Sequence, residues 1–391
     1  MTDWKEYKLG DIAEINQNSI GKDYSFDEIK YLDTGSITQG KIEEFQFYKI
    51  NEAPSRAKRL VELNDIIYST VRPIQRHYGF IDKCIPNLVV STGFAVITTK
   101  KEIANAKYLY HLLSSDEVVN YLDMVAEAST SAYPSIRPDH IAQIEISLPP
   151  LNEQIQIASI LSSLDDKIDI LHRQNKTMEA LAETLFRQWF VEENCTGTLS
   201  EYIKVQGGYA FKSEDFKVTG FAGIIKITNI SMEFVDISKC DYIDESAVKN
   251  LDTRFKIKSG DFLIAMTGAE IGKIGIVEKT EKEIWVNQRV GKLEAKVPYG
   301  NFIGYLALKS REGQDHISNA CSGSAQENIS TTGIEQMTFV SYDSEKANTF
   351  GQQVQPLFEK IIFNLNQIRT LTQLRDTLLP KLMSGEVKVK I

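Results

Sequence analysis

Residues 35–41 read GSITQGK, a glycine-rich run with the spacing by which a loop cradles nucleotide phosphates. Ile42 stands where a Ser or Thr would hold Mg²⁺, and the following IEEFQFY reads as strand rather than helix. GAEIGK, from Gly268, is one residue too short for the same job. The one Pro-Pro pair, Pro149-Pro150, reads as the start of a helix and not as part of an adenine-methyltransferase motif. The five histidines are scattered and none sits at zinc-ligand spacing from a Cys, Asp or Glu. No GxSxG elbow occurs. Cys84, Cys195, Cys240 and Cys321 form no CxxC pair and read as free thiols in a reducing cytoplasm. The residue types therefore point to no catalysis and no bound metal, and to a chain that binds.

The chain has 391 residues, 42% apolar and 25% charged, the composition of two or three globular domains. No apolar run is long enough to cross a membrane, and the polar N-terminus MTDWKEYKLG carries no signal peptide, so a cytoplasmic location is expected. A net charge of −9 argues against a protein that coats nucleic acid non-specifically. It leaves room for local basic surfaces, because attraction to DNA decays over about 8–10 Å.

The chain is written twice. ASTSAYPSIRPDHIAQIEI from Ala128 matches CSGSAQENISTTGIEQMTF from Cys321, 193 positions on. NDIIYSTVRP from Asn64 matches GDFLIAMTGA from Gly260, 196 positions on. In each copy an amphipathic helix, from Ala106 and from Asn301, follows strand-rich runs divided by Gly, Asn and Pro turns. A long helix then closes each copy. The first starts after Pro149-Pro150, with Asn152 as cap, and runs to about Phe190; the second runs from near Ser344 to about Met383, stopped by Ser384-Gly385.

Both long helices carry a thin apolar seam at alternating four and three spacing, the mark of a coiled coil. On the first it passes through Ile157, Leu161, Leu164, Ile168, Leu171, Asn175, Met178, Ala182, Leu185 and Trp189. On the second it passes through Phe350, Val354, Ile361, Asn364, Ile368, Leu371, Arg375, Leu378 and Leu382. A buried Asn is costly without a partner. Antiparallel pairing with Asn175 opposite Asn364 puts Ile157 on Leu382, Leu171 on Ile368 and Leu185 on Val354; only Leu164 against Arg375 is imperfect. Asn175 and Asn364 are therefore expected to set the register. The expected fold class is α+β: two strand-rich domains separated by two long helices forming an intramolecular antiparallel coiled coil with pseudo-twofold symmetry. The expected domains are 1–150, 151–192, 193–343 and 344–391.

Two related modules on a spacer of about 48 Å (at roughly 1.5 Å per residue) suit a partner with its own dyad, and B-DNA is the obvious one. The chain also resembles the specificity (S) subunit of type I restriction–modification systems. The resemblance rests on LPPLNEQIQIASILSSLDDKIDILHRQNKTMEALAETLFRQWF (148–190), GGYAFKSEDF (207–216) and QPLFEKIIFNLNQIRTLTQLRDTLLPKLMSGEV (355–387), in the order module, helix, module, helix. It implies two target-recognition domains, double-stranded DNA as ligand and a bipartite, asymmetric target. It also implies two modification (methyltransferase) subunits using S-adenosylmethionine, and restriction subunits using ATP and Mg, with no cofactor in this chain. On the residues alone, a stand-alone DNA-modifying enzyme and a coiled-coil scaffold without sequence readout stay open as alternatives.

Base-reading side chains are expected in loops between strands. Arg72, Arg76 and His77 flank a Pro-stiffened turn, and Ser131, Tyr133 and Arg137 lie in a small-residue loop. In the second module Lys212 and Ser213 follow a glycine pair, and Thr267, Asn287, Gln288, Arg289, Ser324, Gln326 and Asn328 occupy matching loops. Arg suits guanine edges and phosphates, and Asn and Gln suit adenine edges. Tyr209 and Phe211 read as packing residues, and Arg56, Lys58 and Arg59 as a solvated basic face.

Overall fold

The structure is a computed structural model and describes residues 4–21, 24–128, 134–191, 195–321 and 327–389. The chain divides into two compact units, Met1–Asp166 with Thr372–Ile391, and Lys167–Leu371.

In the first unit the strands Ala13–Ile15, Phe94–Thr99, Ile66–Ser69 and Tyr78–Phe80 form one antiparallel sheet in that order. A second sheet runs Gln46–Lys49, Glu28–Leu32, Leu88–Ser91, Ala57–Leu60, and its central pair is parallel. Period-two alternation sorts the side chains of the first sheet. Ile66, Tyr68, Ala95 and Ile97 join the helices Ala106–Leu113 and Asp116–Glu127 in one core, while Ile67, Phe94 and Val96 meet Leu32, Leu88 and Val90 in another. Both faces are covered, which explains the near-continuous apolar runs DIIY and FAVI.

The second unit repeats this plan. Ile203–Gly207, Val290–Ala295, Phe262–Ala265, Ile274–Val277 and Phe234–Val235 form one sheet. Asp241–Ile243, Ala222–Ile225, Ile284–Val286 and Lys256–Ile257 form the other, again with a parallel central pair. Phe262 and Ile264 face the helix side, and Leu263 and Ala265 the other sheet. Small devices recur as well. Asn64 and Gly260 both take a left-handed conformation (φ +75° and +86°) ahead of an aspartate, buried in the first unit and half-buried in the second. Asp65 accepts from Glu62 N–H at 2.7 Å, and Asp261 from Lys258 N–H at 2.8 Å. Burial pushes both carboxyls above the usual range.

The single amphipathic helix expected in each module is two helices. Ala106–Leu113 gives way to Asp116–Glu127, and Gly300–Lys309 to Arg311–Ala320. The side chains of Ser115 and Ser310 cap the second member of each pair, accepting from Val118 N–H and Gly313 N–H. A serine three residues from an amide it can satisfy lets the chain restart, so the apolar period carries on across the break.

The central helix spans Leu151–Phe186 and continues as a π-helical turn to Val191. Asn152 lies inside its first turn and does not cap it. The buried Gln154 instead ties this end down, donating to Pro149 O at 2.9 Å and accepting from Asn105 N–H at 2.9 Å. The C-terminal helix spans Ser344–Met383, and Gly385 follows at φ +72°. Within the first unit Ile157, Ala158 and Leu161 pack with Leu378 and Leu382. Within the second, Ala182 and Phe186 pack with Phe350 and Val354. In both, residue numbers rise along one helix as they fall along the other, so the two segments run antiparallel. Asn364 is fully buried and donates to Asn175 Oδ1 at 2.9 Å. Arg375, the misfit on the seam, turns to Asp165 at 2.9 Å and not towards Leu164.

Candidate nucleic-acid interface

In each module three backbone segments are zipped side by side at one end of the helix-covered sheet. In the first, Val71 bridges Ser135, Ile136 N–H donates to Thr70 O (2.8 Å), and Arg72 N–H donates to Pro134 O (3.0 Å). Thr70 N–H donates to Gly93 O at 2.8 Å, bringing in the turn after Leu88–Ser91. In the second, Thr267 bridges Asn328, Ile329 N–H donates to Met266 O (3.0 Å), and Gly268 N–H donates to Glu327 O (3.0 Å). Met266 N–H donates to Arg289 O at 3.0 Å. This is one three-segment frame, built twice. Its backbone groups satisfy one another.

The frame brings together many of the residues singled out from sequence. Arg72 and Arg137 are exposed on adjoining segments of the first module. Gln288, Arg289 and Asn328 are exposed on the second, with Asn287 half-buried and Thr267 buried. Two of the named residues make contacts within the module. Arg76 is held by Asp116 at 2.6 Å, and its guanidinium is committed to anchoring the turn on the helix Asp116–Glu127. His77 is half-buried and its Nδ1–H donates to Ile37 O at 2.6 Å, so it supports a neighbouring strand. Ser131, Tyr133, Ser324 and Gln326 lie outside the described residues.

Lys212 and Ser213 stand at a short turn, Ser213–Asp215, shortly after Tyr209, which bridges Asn287, with Lys212 paired to Glu214 at 3.6 Å. Phe211 is buried, whereas Tyr209 is partly exposed and stacks edge-on with Phe211 and against Phe255. The Arg254 guanidinium lies over the Phe255 ring at 4.6 Å, giving this edge a cation on an aromatic platform. Arg56, read from sequence as a solvated face, is exposed beside the frame, since its carbonyl accepts from Thr92 N–H at 2.8 Å.

Sequence reasoning missed Ile74. It is about half exposed at the tip of the turn Pro73–Gln75, and its N–H is held by Asp123 Oδ1 at 3.2 Å. An exposed β-branched side chain inside the motif R-P-I-Q-R was the available signal. Among the described residues no group of His, Cys, Asp and Glu is placed to hold a metal ion, and no helix is long and apolar enough to cross a membrane.

The duplicated frame displays cations, amides and an apolar tip, side-chain types suited to nucleic acid. A profile of the type I restriction modification DNA specificity domain matches residues 1–180 and 192–340, and the chain belongs to that family. It is the DNA-recognising, non-catalytic component of a restriction–modification system. The HindI specificity subunit of Haemophilus influenzae is 24% identical, over 99% of this chain and 100% of its own. The MjaIX specificity subunit of Methanocaldococcus jannaschii is 26% identical over 99% and 89%. The type I S subunit from M. genitalium shares the fold, with a TM-score of 0.60 at 16% identity, covering 100% of this chain and 97% of that one.

Proposed function

We propose that the chain reads a bipartite, asymmetric double-stranded DNA target, one half per module, and carries partner subunits to it. The working division is 1–150 and 193–343 as target-recognition domains and 151–192 and 344–391 as spacer helices, with Asn175 and Asn364 setting the register. The partners are two adenine-methylating modification subunits and the ATP-dependent restriction subunits, working in the cytoplasm. S-adenosylmethionine, ATP and Mg belong to those partners.

The observation that carries this reading is the repeated frame with unlike side chains. Val71–Ser135 and Thr267–Asn328 bridge equivalent segments, yet the exposed residues around them differ. Equal frames with unequal side chains fit two half-targets of different sequence. With net charge −9, few phosphate contacts come from the chain alone, so its own binding is weak and salt-sensitive and becomes tight beside its modification partners. Sequencing of methylated bases in a host carrying the complete system returns a two-part, non-palindromic consensus. Random-oligonucleotide selection that returns no preferred sequence would mark the chain as a scaffold instead.

A further inference from the structure

Two turns of the frame sit side by side in each module, and the two modules furnish them in opposite ways. The first turn is Arg72–Arg76 in one module and Gly268–Gly272 in the other, 196 positions on. The backbones agree: Arg72 and Arg76 have φ +46° and +58°, and Gly268 and Gly272 have φ +70° and +82°. Glycine is the natural residue for such a backbone, and an L side chain there is strained. The first module nevertheless keeps arginine at both positions. Arg76 pairs with Asp116 at 2.6 Å. Arg72 is exposed, beside the exposed Ile74 and the exposed Arg137. In the second module the position of Ile74 is Glu270, folded onto Lys273, an acid ill-suited to approach phosphates.

The second turn shows the reverse. In the second module it carries Asn287, Gln288 and Arg289; in the first, Ser91, Thr92 and Gly93, short or buried.

We infer that the two modules read DNA from different turns of the shared frame: the first from Arg72 and Ile74, the second from Gln288 and Arg289. Arg72 suits a guanine edge or phosphate and Ile74 a thymine methyl group; Gln288 suits adenine and Arg289 guanine. A strained residue held in place by its surroundings is the pattern expected where the side chain serves function. The first turn is stiffened by Pro73, the Arg76–Asp116 pair and the bond from Ile74 N–H to Asp123, so its tip meets a ligand with little ordering left to do. This inference rests on the DNA-reading function proposed above.

The test uses the complete system in its host, with methylated bases sequenced for the wild type and for five variants. Arg72→Gly, which places the second module's residue on the same backbone, and Ile74→Ala are expected to degrade one half of the consensus. Arg289→Gly, the converse replacement, is expected to degrade the other half. Thr92→Ala and Glu270→Ala are expected to leave both halves intact. On oligonucleotides carrying the consensus, anisotropy with the partner-bound chain should show base discrimination falling about tenfold or more at the affected positions. A purely structural role for Arg72 would lower the melting temperature and leave the consensus unchanged. A wild-type consensus that Arg72→Gly, Ile74→Ala and Arg289→Gly all leave intact overturns the inference alone, as does a consensus altered by Thr92→Ala or Glu270→Ala. A wild type with no consensus overturns the DNA-reading function and this inference together.

Discussion

Where a module helix meets a long helix, a cluster that is polar in the first unit is replaced by an apolar one in the second. In the first, the buried His111 lies 3.8 Å from Asp165, which Arg375 pairs at 2.9 Å. The repeat-equivalent positions in the second are Leu306, Phe358 and Ala182, three members of one core. The exchange also runs the other way. In the second unit Glu179 accepts from the Tyr305 hydroxyl and pairs with Lys309 at 2.5 Å, where the first has Thr372, Tyr110 and Ser114. Duplication therefore conserves the backbone contact and leaves its chemistry free, provided each buried polar group finds its partner. The reading turns follow the same rule: one frame, two furnishings.

The strongest way to break the comparison is to move one polar residue without its partners. Phe358→Asp places the first unit's acid in the second unit's core, where Phe358 packs face-to-face with Phe302 and edge-on with Phe262 and Tyr305. It loses a fully buried aromatic ring and strands a charge, at a cost above about 4 kcal/mol. Urea unfolding should show the second unit losing cooperative folding. A melt close to wild type would mean the two junctions are not equivalent.

His111 gives the next largest effect. Burial holds its pKa down to about 4, outweighing the nearby Asp165, which pulls it up. A histidine depressed in the folded state contributes stability that is full above its unfolded value and is lost as pH falls through the folded one. The window is therefore about pH 6.5 down to pH 4, and the loss is roughly 3 kcal/mol. Stability measured against pH should fall more steeply across this window in the wild type than in His111→Leu, which copies Leu306. Parallel curves would show the ring to be open to water.

Cutting one partner of a polar contact between the long helices sharpens the comparison further. Arg375 and Asp165 are 29% and 35% exposed, so solvent screens the pair, and Arg375→Ala should cost roughly 2 kcal/mol. In the second unit Asn364→Leu removes the donor to Asn175 and should cost roughly 1–2 kcal/mol. Replacing Asn175 and Asn364 together by leucine should restore most of that loss. A double substitution as damaging as the sum of the singles would remove the case for a register device.

Much of this fold was legible because periodicity writes it. Four-three spacing gave the long helices and their seams, and period two gave the strands. The positions 196 apart aligned Asn64 with Gly260, a residue pair that shares one left-handed backbone. What stayed hidden depends on geometry that pattern does not encode. Ser115 and Ser310 interrupt the module helices without interrupting their apolar period. Arg375 looked like a flaw in the seam because its partner, Asp165, lies one position off it. Of the candidate binding residues, several arginines and amides lie on the segments of the three-segment frame. Residue type could not show that Arg76 pairs with Asp116 or that His77 donates to Ile37 O. The alignment of arginine with glycine at 72/268 and 76/272 was in the sequence, but its meaning needs the sign of φ.

The smallest effect expected is also the one that separates stability from reading. At φ +46° Arg72 carries a steric penalty of about 1 kcal/mol that glycine would not. Glycine returns part of that gain through the greater freedom of its unfolded chain. The backbone bonds of this turn, Arg72 N–H to Pro134 O and Gln75 N–H to Arg72 O, survive the change because neither uses the side chain. Arg72→Gly should therefore change stability by less than about 1 kcal/mol, while base discrimination collapses in one half of the target. Arg76→Gly relieves the same kind of strain but breaks the contact with Asp116, so it should lower stability. If Arg72→Gly instead destabilises the chain as Arg76→Gly does, the Arg72 guanidinium is a structural brace, and the first module's reading side chains lie elsewhere on the frame.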